Sequence, residues 1–250
     1  MSSTNGRPHF FHADATALGA VIDQPSVAEF PVQSPLSLPP VGGHVTAHSS
    51  HFQFEKIASA SSTYSEVEGS MEADGPRTTA ISVVKRLNVL DRVKVREAVG
   101  HIKAEHPWDG GVPRVSFGET RFSHLLIGDS VVEVILDTEI LGKENGTGFP
   151  EQAHLRQRNL WGKVGQQYDD KAGLLQCSLV KEFKAIRGPL PKIVEPNGFE
   201  IEDFGRLFLA ELLVQYHSYQ LIMMRFEFGS PTKGKMSAVC CKVNGSGGGG

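Results

Sequence analysis

The segment Glu105-His106-Pro107-Trp108-Asp109 sets a carboxylate, an imidazole, an indole and a second carboxylate beside Gly110-Gly111. Groups of this kind do chemistry best on a turn held by a rigid strand scaffold. If His106 is buried next to Glu105 or Asp109, the carboxylate favours the imidazolium and places its proton transfer near physiological pH. His124, in the stretch FSHLL, could join the group across a sheet. Glu105, His106, Asp109 and His124 are therefore the candidate catalytic residues. A packing role competes and is preferred: Pro107 and Trp108 plug the end of a barrel or sandwich while Asp109 opens the turn.

The remaining histidines and cysteines give less. His44, His48 and His51 are the densest histidine group. On a strand the first two share a face but stand roughly 13 Å apart, and the third points the other way, so one metal cannot take all three. His9 and His12, in HFFH, could join a site only if the N-terminal residues fold back on the body of the protein. Glu66, Glu68, Glu72 and Asp74 lack the spacing of a calcium loop and read as a solvated strand edge. Cys177, Cys240 and Cys241 are odd in number, and the adjacent pair diverges on an extended chain, so all three are expected as packed, reduced thiols. Residues 229–236, GSPTKGKM, approach a phosphate loop but end on Met236, which cannot ligate magnesium, with too little chain beyond it for the helix that would face phosphate. There is no GxSxG, HExxH, CxxC or GxGxxG. No cofactor and no metal are assigned.

The elements that must position these residues read as strands. From His44 onward, short runs of Val, Ile, Thr, Phe and Tyr alternate with turn chemistry at the interval typical of β sandwiches and barrels. Strands are expected at about 44–57, 62–69, 77–90, 113–117, 121–127 and 131–140. Asp74-Gly75-Pro76, Asp109-Gly110-Gly111, Gly118-Glu119 and Gly128-Asp129 supply the reversals. Residues 91–105 stay open. Val95, Ala98, Val99 and Ile102 fit a helix behind Asp91, whereas the β-branched Val93, Val95 and Val99 and the cost of Gly100 favour a strand. Residues 204–228 fit a helix face as well, but the preferred reading is a hairpin with Phe208, Ala210, Leu212, Val214 and Tyr216 on one face, extended by 236–243 to a meander. A short helix is expected at about 150–162, where Pro150 suits a first turn.

Residues 1–43 carry PVQSPLSLPPVGG and read as an extended arm, residues 44–243 as a single β-rich domain, and the Gly-rich end from Asn244 as a flexible tail or cloning remnant. The fold class is thus mostly β, an antiparallel sandwich or barrel with an extended N-terminal arm and one or two short helices. The 25 basic residues against 28 acidic ones leave a net charge of -3, which disfavours a nucleic-acid binder. No apolar run is long enough for a membrane span, and no signal-like stretch opens the chain, so cytoplasmic residence is expected. Phe10, Phe11, Leu18, Val21, Ile22, Phe30, Val32, Leu36 and Leu38 leave the arm in need of cover. The first functional expectation is a non-catalytic protein that binds or self-assembles, its arm packing on a neighbouring subunit of a homo-oligomer or on a protein partner. The second is a small-molecule carrier or enzyme built on a β barrel, with its site around residues 105–124.

Overall fold

The computed structural model describes residues 9–24, 27–108, 113–141, 167–169, 174–215 and 218–244. Among them there is no helix. The strands are, in chain order, β1 (Ala13–Gln24), β2 (Ala28–Gln33), β3 (Leu36–Ser37), β4 (Gly43–Phe54), β5 (Ala58–Glu72) and β6 (Gly75–Val89). There follow β7 (Val93–Glu105), β8 (Arg114–Ser116), β9 (Arg121–Ile127), β10 (Ser130–Leu136), β11 (Gln167–Asp169) and β12 (Leu174–Ser178). The last six are β13 (Val180–Arg187), β14 (Lys192–Glu195), β15 (Gly198–Ile201), β16 (Gly205–Gln215), β17 (Ser218–Phe228) and β18 (Lys233–Asn244). Asp109, the helix expected at 150–162 and the Gly-rich end beyond Asn244 lie outside the described residues.

Two antiparallel sheets form, and neither closes into a barrel. One runs β11-β12-β16-β17-β18-β1-β2, with β15 beside β16, β14 beside β15 and β3 beside β1. The other runs β13-β10-β9-β7-β6-β5-β4, with β8 beside β7. They pack on one another through inward rows of aliphatic side chains, among them Val67, Ala80, Val84, Ile102 and Ala104 from the second sheet and Leu212, Leu221, Met223 and Val243 from the first. Polar fastenings cross the layer: Ser82 Oγ donates to the Thr16 carbonyl at 3.0 Å, and the Cys241 thiol lies 3.3 Å from the Gly100 carbonyl.

Residues 91–105, open on sequence, are strand β7, and Gly100 shows why. A Cβ there would fall 2.9 Å from Val239 Cγ1 and 3.2 Å from Met223 Cγ, so glycine marks a point where the sheets approach closely. The residue that penalises a helix is required by the packing. Residues 204–228 form the expected hairpin, β16 with β17, and β18 completes the meander. Its facing differs from strict alternation. Ala210 and Val239 have positive φ (49° and 60°), and pairing skips Ala210, Met223, Val239 and Ala17 in turn across four neighbouring strands. The skipped row reverses the phase, so Leu207 and Leu209 join Leu212 and Val214 in the core. Phe208 faces away from it, capped by the Arg225 guanidinium 4.0 Å above its ring.

The largest departure from the sequence reading is the N-terminal region. Residues 13–24 are not an arm but β1, paired with β18 along its length and with β2 and β3 on its other side. Phe11, Leu18, Ile22, Phe30 and Leu38 are buried within the same chain. The cover that the sequence demands is supplied within the protein, where Phe30 packs on Phe52 and Phe54 and Phe11 and Leu38 lie over Gly69, and a single β body begins well before residue 44.

Candidate functional site

Adjacent residues of an extended chain project to opposite faces, and that rule separates Glu105 from His106. Glu105 points outward, 2.9 Å from Lys103 Nζ and 3.4 Å from Arg77 Nε, and the Lys103 ammonium holds its carboxyl below the usual range. His106 turns inward and is 6% exposed. Its backbone is fixed by a bond from its N–H to the Pro76 carbonyl at 2.8 Å and by Gly75 (φ 134°), where a Cβ would fall 1.8 Å from the His106 carbonyl oxygen. The ring lies 4.7 Å from that of His9. Burial, with a smaller push from His9, brings its pKa down to about 4, against a weak upward pull from the Asn244 carbonyl. Desolvation, not a carboxylate, therefore sets this imidazole, and it is neutral at physiological pH.

Trp108 is 54% exposed, its indole N–H donating to the Ala73 carbonyl at 2.9 Å. It flanks an open cavity of about 520 Å³ whose walls carry Glu72, Asp74, Arg77, Glu105 and Arg114. It stands at the rim and plugs nothing. His124 is remote: its neighbours Leu125 and Ser123 pair with Val95 and Glu97, placing it beside Arg96, nine residues along β7 from Glu105 and so about 30 Å away. Its side chain is exposed and its φ is 52°. Of the four candidates, Glu105 and His106 lie back to back, His124 is far off, and Asp109 is outside the described residues.

The outer face of the second sheet holds a cluster that the sequence reading divided among unrelated features. His44 on β4 bonds Glu66 on β5 (Nε2 to Oε1, 2.9 Å), and Tyr64 donates its hydroxyl to the other Glu66 oxygen at 2.5 Å. The hydrogen bond and negative charge of Glu66 push the Tyr64 phenol up to about 12, and the same bond, with His44, holds Glu66 low. The phenol is thus a fixed donor and the carboxylate has both oxygens engaged. Neither is a free base or nucleophile. The readable signal was Tyr64-x-Glu66, two residues on one face of a strand; the His44 partnership needed the β4–β5 register. His48 faces solvent, and among the described residues no group of three or more His, Cys, Asp or Glu could share a metal.

The three thiols are free. Burial pushes Cys177 up to about 12 and Cys240 up to about 11, the opposite of an activated nucleophile. In the stretch 229–236, residues 229–232 make the reversal from β17 and Lys233–Met236 open β18.

These features define an all-β protein of two stacked antiparallel sheets whose polar clusters are mutually satisfied on its faces. Residues 9–172 match a family described as a domain of unknown function (DUF8256), and the chain belongs to that family. No curated protein and no solved structure matches it.

Proposed function

We propose that this protein is a non-catalytic β sandwich that self-assembles by pairing the edge strand β4 with β4 of a second copy. One observation carries the reading. β4 is twelve residues long, is paired with β5 alone among the described residues, and contains no Lys, Arg, Asp, Glu or Pro. Natural sheets blunt such edges with charge, proline, shortness or bulges. β2 has six residues with Glu29 and Pro31, β13 carries Lys181, Glu182, Lys184 and Arg187, β14 has Lys192 and Glu195, and β11 has three residues. From Gly43 to Ser50 the edge of β4 has no such defence, until the positive φ of His51 (55°) twists it away.

Antiparallel pairing of identical strands gives a closed two-fold dimer in which the same surface serves both copies. Main-chain hydrogen bonds supply the attraction, as in strand addition generally. The burial of Phe11, Leu18, Ile22, Phe30 and Leu38 within the chain favours this edge over the N-terminal region as the interface. The satisfied state of Glu105, Glu66 and Tyr64 favours assembly over turnover. Light scattering across a hundredfold range of protein concentration tests the idea, with hydrogen exchange as the local readout. The expected result is a concentration-dependent dimer in which amides of Gly43–Ser50 slow as the dimer forms. A monomeric mass throughout, or a dimer whose β4 amides exchange as in the monomer, overturns it.

A further inference from the structure

We propose that a transverse row of side chains on the outer face of the second sheet, centred on Arg86 and Arg96, binds linear inorganic polyphosphate. The row is fixed by register. Pairing runs through Ser62↔Lys85, through Lys85↔Glu97 and Leu87↔Val95, and through Glu97↔Ser123 and Val95↔Leu125. The same register sets Ser61 on β5, Arg86 on β6, Arg96 on β7 and His124 on β9 opposite one another, with His51 of β4 beyond Ser61. Neighbouring strands lie about 4.8 Å apart, so five strands give a row about 19 Å long. Val84, Leu87, Val95 and Ala98 are buried on the inner side, whereas Arg86, Arg96 and both histidines are exposed, which turns the row outward.

The backbone does not require these side chains. His51, Arg86 and His124 have φ of 55°, 49° and 52°, where glycine or asparagine costs less. The first sheet makes its own skipped row from Ala210, Met223, Val239 and Ala17. Like charges directly opposite on paired strands are destabilising, and among the described residues neither guanidinium has a hydrogen bond or ion pair. The nearest acids are already engaged: Glu97 by Arg121 at 2.8 Å and Lys85 at 3.7 Å, Asp91 by Asn88 at 2.9 Å and Lys94 at 3.2 Å. An oxyanion held between the two guanidinium forks removes the repulsion.

The surroundings select the occupant. Glu66 and Glu68 lie on the same face, five and seven residues along β5 from Ser61 and so about 17 Å or more away. A flat anionic membrane meets these acids as well as the row, whereas a narrow chain laid along the row does not. Beyond His124 the register reaches Glu133 on β10, which ends the cationic stretch. Single-stranded nucleic acid needs aromatic platforms for its bases, and the row holds none. Polyphosphate is thin, has no bases and carries charge on every unit of its backbone, so guanidiniums about 5 Å apart each meet one of its groups. Sugar rings set the sulfates of a glycan farther apart. The row lies on the sheet face and not on its edge, so it is independent of pairing through β4.

The test is a titration of the full-length protein with fluorescently end-labelled linear polyphosphate, followed by anisotropy across a series of salt concentrations. Arg86→Asn suits the left-handed backbone, and Arg96→Gln removes the facing charge. Each is expected to lower affinity at least about fivefold and to flatten the salt dependence by roughly one ion, with the double variant losing binding. Arg206→Gln, exposed on the first sheet, should bind as the native protein does. Polyphosphate should also raise the melting temperature of the native protein and leave that of the double variant where it was. Circular dichroism checks folding, and Arg96→Gln keeps the test open if Arg86→Asn does not fold. No binding, or an equal loss in Arg206→Gln, would overturn the row. Orthophosphate, heparin, single-stranded DNA or phosphatidylserine vesicles binding as tightly as polyphosphate would overturn the occupant.

Discussion

β4 and β13 are the two outer edges of one eight-stranded sheet, yet they are built on opposite plans. β13 pairs with β10 and presents Lys181, Glu182, Lys184 and Arg187 along eight residues. β4 pairs with β5 through eleven matched positions and offers glycine, serine, threonine, alanine and histidine to whatever comes next. Both edges leave main-chain donors and acceptors unused. The difference lies in whether a neighbour's approach brings charges together or brings only hydrogen bonds. One edge is defended and the other is left open, and the difference is carried by their side chains.

The strongest way to break the comparison is to give β4 the defence of β13. Thr46→Lys with His48→Lys places like charges along both facing edges of the dimer at exposed positions, where the fold has little reason to object. Like-charge juxtaposition at an interface costs several kcal/mol, so a loss of dimer affinity of at least about a hundredfold is expected by sedimentation. An unchanged dimer would place the contact elsewhere.

Acid should come next in size, because it attacks the end of the molecule from which β4 starts. Phe11 packs over Gly42 and Gly69, where added Cβ atoms would fall 2.9 and 2.7 Å from its ring, and it also packs on His9, which packs on His106. The folded state lowers the His106 pKa from 6.5 to about 4, so between those values the unfolded chain binds the extra proton. Stability contributed by the neutral ring is complete above 6.5 and is lost as pH falls toward 4. The shift corresponds to about 3 kcal/mol. Urea titrations at pH 7 and pH 4.5 should show that decline in the native sequence and a shallower one in His106→Phe. Amides at the start of β4 should open before those of β13.

How much of this was open to the sequence follows from the range of the interaction involved. Strands β4 to β6 and β8 to β10 announce themselves, because alternation such as Val132-Glu133-Val134 and turns such as Asp74-Gly75 are local. β7 was undecidable locally, since the fact that settles it is the approach of Val239 and Met223 to Gly100, more than a hundred residues away. β1 was misread for two reasons. Its inward face is largely alanine (Ala13, Ala15, Ala17, Ala20), a weak strand former, and its main partner, β18, lies at the far end of the chain. The site shows the same divide. The opposed facing of Glu105 and His106 follows from extended geometry alone, but the meeting of His9 with His106 required knowing that the N-terminal segment folds back.

The third test runs the comparison backward by stripping β13. Lys181→Thr, Lys184→Thr and Arg187→Thr remove its exposed cations and leave Ile186, 63% exposed, on an edge resembling β4. The expected outcome is new association, about tenfold tighter than any contact β13 makes in the native protein and visible as species larger than a dimer, since two open edges per copy extend an assembly instead of closing it. A variant that stays at the native mass would show that charge is not what protects β13.

The smallest expected effect concerns what holds β4 itself in place. The His44–Glu66–Tyr64 cluster ties β4 to β5 from the outer face, and β13 has no equivalent among the described residues. Tyr64, chiefly, and His44 hold the Glu66 carboxyl below its ordinary 4.5 in the folded state, so the unfolded chain takes up the proton first as pH falls. The contribution is present above 4.5 and disappears below it, a range distinct from that of His106. Because the cluster is partly exposed, solvent screens it to under about 1 kcal/mol. Glu66→Gln should therefore leave urea stability at pH 7 lower by that amount at most, remove the matching part of the decline below pH 4.5, and speed exchange in β4 while leaving β13 as it was. Equal acceleration at both edges would mean that the cluster stabilises the whole sheet, and that β4 owes its place to main-chain pairing alone.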